Sequence, residues 1–306
     1  MEVNKLHPIF AAELIGPDLA QEPDQALVDL VEELMNEHAV LCIRGQGHIT
    51  DEEHLRFARA FGPLELPGTL RPDEPRRMAY GLYDASNLDI NGEIVDRASL
   101  RAKFAKGNEI FHADSSFNDM PSKWSMLRGV IVPPEKGDTQ FVDLRHVYEE
   151  LPQAMKDKIE NLVAEHSFAA SRIKGGASPE ETDRIREAMP GAMQPMVRIS
   201  PSGRKSLFVG SHAFRVEGMD EAEGTALIEE LIAFASQDKY VYAHKWRQGD
   251  LLIWDNRCAL HRGTEFDYER YKRDLRRANV NEYGEERSAI KTPLQSLTPE
   301  RQPAAG

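Results

Sequence analysis

The sequence predicts an α+β fold, a double-stranded β-helix (jelly-roll) core with helices packed around it. Three observations lead there. Strand patterns dominate from Ile110 onward. Most of those strands read as antiparallel hairpins, and the amphipathic helices fall early or in insertions between strands. With neither an internal repeat nor a separating linker, residues 1–306 are expected to form one domain.

The elements follow in order. Residues 24–38 predict a helix, because Leu27, Leu30, Val31, Leu34 and Met35 recur at helical spacing behind Asp24 as N-cap. Residues 39–43 read as a buried strand. Thr50-Asp51-Glu52-Glu53 has the capping-box pattern of a second helix, which Gly62-Pro63 should stop. Residues 64–108 lack periodicity, and so long an irregular stretch more often builds a site than a linker. Residues 125–132 and 139–144 read as two strands joined by a turn at 133–138, and residues 143–150 and 152–165 as helices. Residues 172–194, with Gly175-Gly176, Pro179 and Pro190, predict a surface loop or lid. Residues 195–200 and 205–210 form a predicted hairpin, residues 220–236 a helix, and residues 240–246 and 250–254 a further pair of strands. Residues 276–281 are expected to close the sheet, and the tail after Gly284 is polar.

Composition excludes several classes. Lys and Arg number 38 against 51 Asp and Glu, a net charge of −13, so neither nucleic acid nor an anionic membrane is expected as a partner. The first residues lack a basic segment followed by an apolar one, and no apolar run approaches the roughly 20 residues of a membrane span. Cys42 and Cys258 are the only cysteines and are expected to stay reduced in a cytoplasmic protein.

The densest chemical signal is Phe111-His112-Ala113-Asp114-Ser115. In a strand, residues two apart face one side, so His112 and Asp114 can reach a single point. Such a tripeptide is weak alone, and a surface histidine beside a solvated carboxylate is the bland reading. His261 is the best-placed third ligand of the ten histidines, following the apolar run Leu251–Trp254. Two histidines and one carboxylate suit an Fe(II) site with open positions, and zinc remains an alternative. His166, His212 and His244 have no carboxylate at ligand spacing and read as packed or hydrogen-bonding side chains. Beyond His261, Arg270, Lys272, Arg273, Arg276 and Arg277 face one acid, Asp274. A solvated charged strand is the ordinary explanation of such a run. Strand alternation, however, puts Arg273, Leu275 and Arg277 on one face, and Leu275 marks it as the inner one. Two inward guanidinium groups need anions, since buried unpaired charge is very costly.

Taken together, these residues resemble the taurine/2,4-dichlorophenoxyacetate dioxygenase family of Fe(II)- and 2-oxoglutarate-dependent enzymes. The resemblance spans nearly the whole chain. Its most specific parts are residues 111–117, Gly137-Asp138-Thr139-Gln140-Phe141 and Trp254-Asp255-Asn256-Arg257, followed by His261. It implies that His112, Asp114 and His261 ligate Fe(II), and that Thr139 and Arg273 bind the 2-oxoglutarate carboxylate. Arg277 and Asn108 are implied at the substrate, and O₂ as the second cosubstrate. Some relatives place the cosubstrate arginine eleven residues after the distal histidine, which here is Lys272, whereas the phenoxyacetate branch has twelve, which selects Arg273. The taurine branch carries a histidine in the loop matching residues 66–70, which here has none.

The expected reaction is hydroxylation beside the ether oxygen of an aryloxyalkanoate, a small anionic substrate, with the loops at 66–108 and 172–194 enclosing its ring. A taurine, alkylsulfonate or alkylsulfate dioxygenase is the runner-up, and a jelly-roll ligand-binding protein the non-enzymatic alternative. The resemblance also implies a homo-oligomer.

Overall fold

A computed structural model describes residues 1–67 and 76–288. Its largest sheet runs Glu2–Lys5, Ala12–Ile15, Val40–Ile43, Leu251–Asp255, Trp124–Ile131, Asp274–Val280, Leu64–Leu66 and Arg287–Ser288, with Tyr83–Asp84 also paired to Asp274–Val280. A second sheet sets Thr139–Asp143 between Val241–His244 and Ala259–Gly263. A third joins Val163–His166 to Ala192–Pro195 and Ala213–Val216. The architecture is the jelly roll with surrounding helices.

Strand alternation sorts the apolar residues between two cores. Leu251 and Ile253 face the helices Gln25–His38 and Asp51–Arg59, packing with Leu27, Val31, Leu34 and Met35. Burying each such side chain contributes about 1.5–3 kcal/mol. Leu252 and Trp254 face the other way and meet Phe141 and Tyr242 of the second sheet. Both faces of this central strand are covered, which is why its sequence is an unbroken apolar run. Both helices start where their caps predict: Asp24 Oδ1 accepts the Leu27 N–H at 2.8 Å, and Thr50 and Glu53 form the capping box. On the outer side of the second sheet, Val142 and Leu260 pack against Leu227, Ile228 and Leu231 of the helix Glu221–Ala235.

Several expectations are corrected. Trp124–Ile131 and Thr139–Asp143 do not pair with each other, because the turn between them carries the chain from one sheet to the other. Val241–His244 and Leu251–Asp255 likewise belong to different sheets. A turn looks the same in sequence whether it closes a hairpin or crosses a sandwich. The helix expected over 152–165 ends at Ile159, and Val163–His166 is a strand. Residues 172–194 are no loop. The helix Phe168–Lys174 ends there, a capping box at Ser178 starts the helix Pro179–Ala188, and Ala192–Pro195 is a strand. The irregular stretch 64–108 contains the strands Leu64–Leu66 and Tyr83–Asp84 and the helix Leu100–Ala105. Of the segment 66–70, residues 68–70 lie outside the described residues, as does the tail from 289. The hairpin forms as Val197–Ile199 with Lys205–Leu207, and the closing strand is Asp274–Val280.

Candidate active site

His112 is not in a regular strand. Its backbone pairs with His261 alone: His112 N–H donates to His261 O at 3.0 Å, and His261 N–H to His112 O at 2.9 Å. His261 itself sits within Ala259–Gly263, and the two rings lie 4.1 Å apart between centroids. Asp114 joins them two residues on, and Ser115 after it turns the chain at φ 56. Asp114 Oδ1 is 3.9 Å from His112 Nε2, and Oδ2 is 3.7 Å from His261 Nε2. All three are buried, and one donor atom from each lies within 4.8 Å of the others.

The surroundings hold those donors in place. His112 Nδ1 donates to Ile110 O at 2.8 Å, which leaves Nε2 with its lone pair. Asn256 Oδ1 accepts the Asp114 N–H at 3.0 Å, and Asn256 Nδ2 donates to Ser125 Oγ at 2.9 Å. Ser125 in turn donates to Asp114 Oδ2 at 2.7 Å, and Arg277 Nη1 to Asp114 Oδ1 at 2.7 Å. Burial pushes the Asp114 carboxyl up, but Arg277, His261 and His112 outweigh it and hold the group at about 2. Burial pulls His112 down to about 4 and His261 well below its ordinary value. The triad is therefore two neutral imidazoles and one carboxylate, each in a form that can bind a divalent cation.

A cavity of about 290 Å³ opens over the triad between the two sheets, and Thr139, Trp254, Arg273 and Arg277 are among its lining residues. Arg273, Leu275 and Arg277 do share the inward face. Arg276 turns outward to pair with Asp51 at 2.7 Å and with Asp274 at 3.0 Å. Arg273 forms no ion pair with a carboxylate among the described residues. Its Nη1 donates only to Ala85 O at 3.3 Å, and its Nε has no partner. Burial lowers its guanidinium to about 10. A half-buried cation so placed calls for an anionic ligand. The Trp246 indole N–H donates to Thr139 Oγ1 at 3.0 Å. A hydroxyl has one hydrogen and two lone pairs, so Thr139 keeps its hydrogen for an acceptor in the cavity. These groups fit the far carboxylate of 2-oxoglutarate, and the triad fits a divalent metal.

Arg277 and Asn108 both line the cavity, but each has a protein partner: Arg277 holds Asp114, and Asn108 Oδ1 accepts from Arg172 Nη1 at 3.0 Å. His166 and His212 are hydrogen-bonding histidines, both within reach of Ser116 Oγ. His244 is one too, yet it has a carboxylate after all, Asp250 Oδ2 at 3.0 Å. Sequence reasoning assigned no role to Arg172, Ser125, Trp246 or Asn87, whose Oδ1 accepts the Arg273 N–H at 2.8 Å, although the segments holding Asn87 and Arg172 resemble the phenoxyacetate branch. Only the turn signal at Asn87 could have been noticed. The other three act through contacts between distant segments.

A jelly roll with two histidines and a carboxylate under a basic, partly apolar cavity defines a non-haem metal oxygenase. The family model for taurine catabolism dioxygenases, TauD and TfdA, matches residues 2–279, and the chain belongs to that family. It is an oxidoreductase, an Fe(II)- and 2-oxoglutarate-dependent dioxygenase using O₂, which disposes of the non-enzymatic alternative. The chain is 42% identical over 279 residues to the alpha-ketoglutarate-dependent 2,4-dichlorophenoxyacetate dioxygenase of Cupriavidus pinatubonensis, covering 90% of this chain and 96% of that one. It is 34% identical to the (S)-phenoxypropionate/alpha-ketoglutarate-dioxygenase of Sphingobium herbicidovorans, covering 87% and 90%. Among solved structures, AAD-2 in complex with Mn(II) and N-oxalylglycine superposes with a TM-score of 0.82 at 36% identity, covering 92% of this chain and 97% of that one.

Proposed function

We propose that this enzyme hydroxylates the carbon next to the ether oxygen of an aryloxyalkanoate such as 2,4-dichlorophenoxyacetate. One oxygen atom of O₂ enters that C–H bond, and the other enters succinate as 2-oxoglutarate loses CO₂. The hydroxylated ether is a hemiacetal. Its hydroxyl proton passes to the leaving phenoxide, giving a phenol and an oxoacid.

In this reading His112, Asp114 and His261 hold the iron, which with 2-oxoglutarate and O₂ supplies the oxidant. Arg273 and Thr139 hold the far carboxylate of 2-oxoglutarate. Arg277 fixes the Asp114 carboxylate, and through Asn256 and Ser125 both the backbone and the side chain of that residue are held. Leu127 and Trp254 give the cavity an apolar wall against which an aromatic ring can lie, excluding water from the reacting carbon. The chain's own contribution is to place one C–H bond beside the metal.

The observation that carries the reading is Arg273, a cavity-lining guanidinium whose Nε is buried without a partner and which has no carboxylate of its own among the described residues. Similarity to phenoxyacetate and phenoxypropionate dioxygenases supports the substrate branch. We propose in addition that residues 1–306 act as one domain, in a cytoplasmic homo-oligomer, and both buried cysteines being free fits that compartment. Light scattering on the purified protein measures its assembly.

The substrate test is succinate release across phenoxyacetates, 2-phenoxypropionates, taurine and alkyl sulfates. Fastest turnover of an aryloxyalkanoate is the expected result, and preference for a sulfonate or sulfate would replace it with the runner-up. An alkylsulfatase of Acinetobacter baylyi, 30% identical over 92% of this chain and 84% of its own, gives that comparison a purpose.

A further inference from the structure

Besides Arg273, Arg277 and Arg101, the last paired with Asp84 at 3.0 Å, a fourth arginine lines the cavity. Arg172 is 4% exposed, on the helix Phe168–Lys174, and lines the same space. Its protein contacts are all neutral. Nε donates to Ser171 Oγ at 3.2 Å, and Nη1 donates to Phe104 O at 2.6 Å and to Asn108 Oδ1 at 3.0 Å. The described residues offer no acceptor for Nη2. The guanidinium lies 4.4 Å over the Phe168 ring, which fixes its plane.

The backbone makes room for this charge. A Cβ on Gly107 would come within 2.6 Å of Arg172 Cζ. Gly107 has no positive φ to justify it, so the glycine is there for space. Burial pulls the Arg172 guanidinium down to about 10, with Asp114 opposing that shift from a distance and Arg277 adding to it. Arg273 feels burial alone. Arg172 is held among Ser171, Phe104 and Asn108, whereas Arg273 is held among Ala85, Asn87 and Phe266.

We infer that Arg172, with Asn108 fixing its orientation, binds the carboxylate of the substrate to be hydroxylated. Arg277 lines the same cavity with Nη1 on Asp114 and Nε unpaired, so Arg172 adds a second cation rather than replacing Arg277. The inference rests on the functional reading above, that the substrate is an anionic aryloxyalkanoate. It adds the residue that recognises the anion, and places the aromatic ring on the Leu127–Trp254 side.

The test uses binding, so that it does not depend on turnover. The protein loaded with Mn(II) and N-oxalylglycine is titrated calorimetrically with 2,4-dichlorophenoxyacetate and with its neutral amide. In Arg172→Gln the acid should bind about 100-fold more weakly, the amide within about threefold of wild type, and Mn(II) content should stay unchanged. Arg172→Lys, which keeps the charge but loses the fork, should lose about tenfold on the acid only, and it carries the test if the glutamine variant does not fold. Equal weakening of acid and amide, or an unaltered acid affinity, would overturn the role of Arg172 while leaving the functional reading in place. Wild-type protein that binds neither compound would overturn both.

Discussion

Two buried clusters of metal-ligating side chains lie inside the sandwich, and only one is built to hold a metal. His112, Asp114 and His261 form the first, and Cys42, His244 and Asp250 the second, each with one donor atom per residue within 4.8 Å of the others. The Phe141 ring stands between them, stacked on His261 at 6.2 Å and on Tyr242, the partner of His244, at 6.4 Å. In the second cluster His244 and one carboxylate oxygen of Asp250 are taken up by protein partners. Asp250 Oδ2 accepts from Arg44 Nη1 at 2.7 Å, the Arg247 N–H at 2.9 Å and His244 Nε2 at 3.0 Å. His244 Nδ1 is then left to accept from Tyr242 OH at 3.0 Å. Burial pushes the Cys42 thiol up, so it stays protonated. In the first cluster both Nε2 atoms are free of hydrogen-bond partners and a cavity lies over them. Proximity is shared by the two. What differs is whether lone pairs have been left over.

That contrast can be broken first at His112. His112→Ala should lose Fe(II) and lower activity by more than the roughly 100-fold that an outer partner commands. Metal analysis and the anaerobic visible band with 2-oxoglutarate report it, and retained metal with normal turnover would refute the assignment. Asp250→Asn makes the opposite prediction. Metal content should stay at the wild-type level while unfolding free energy drops by about 3–5 kcal/mol, because Arg44 loses half of its buried pairing. Urea denaturation measures the drop, and lost metal would show that the second cluster is the ion site.

Ser125→Ala tests the support behind the first cluster. Removing the hydroxyl that donates to Asp114 Oδ2 should weaken metal affinity by about 10–100-fold without unfolding the protein. Competition with a chelator gives the affinity, and an unchanged value would mean that Arg277 alone suffices. The smallest effect concerns His54, which is in neither cluster. Burial, helped by Arg128, lowers it to about 3. The unfolded chain takes up a proton near pH 6.5 that the folded one refuses until about 3. Stability is thus lost as pH falls below about 6.5, by about 1 kcal/mol per such group between pH 7 and 5.5. His54→Gln should reduce that pH-dependent loss by this amount in paired denaturation curves. An unaltered difference would show that His54 does not titrate as described.

Much of the site was legible because its chemistry is local. His112 and Asp114 are two residues apart, and the inward set Arg273, Leu275 and Arg277 follows from strand alternation even though a bulge separates Asp274 from Leu275. The helices at Gln25 and Asp51 carried their caps in the sequence. What was not legible depends on which strand lies beside which. Turns at 133–138 and 247–249 suggested hairpins and instead connect two sheets. Arg172 was hidden for the same reason: its meaning comes from Gly107, Asn108 and the cavity, all contributed by another part of the chain. His244 reads as an ordinary histidine until folding returns Asp250 to it.

The backbone pair between His112 and His261 also has a temporal consequence. Synthesis runs from the N-terminus, so His112 and Asp114 leave the ribosome long before their partner. Arg273 and Arg277 come later still, on the strand Asp274–Val280 and the residue just before it. A partial chain therefore has two of the three ligands and neither guanidinium, and cannot assemble an oxidising centre. High contact order makes such a fold slow to complete. The chain thus has the means to activate oxygen only once almost all of the structure that contains it exists.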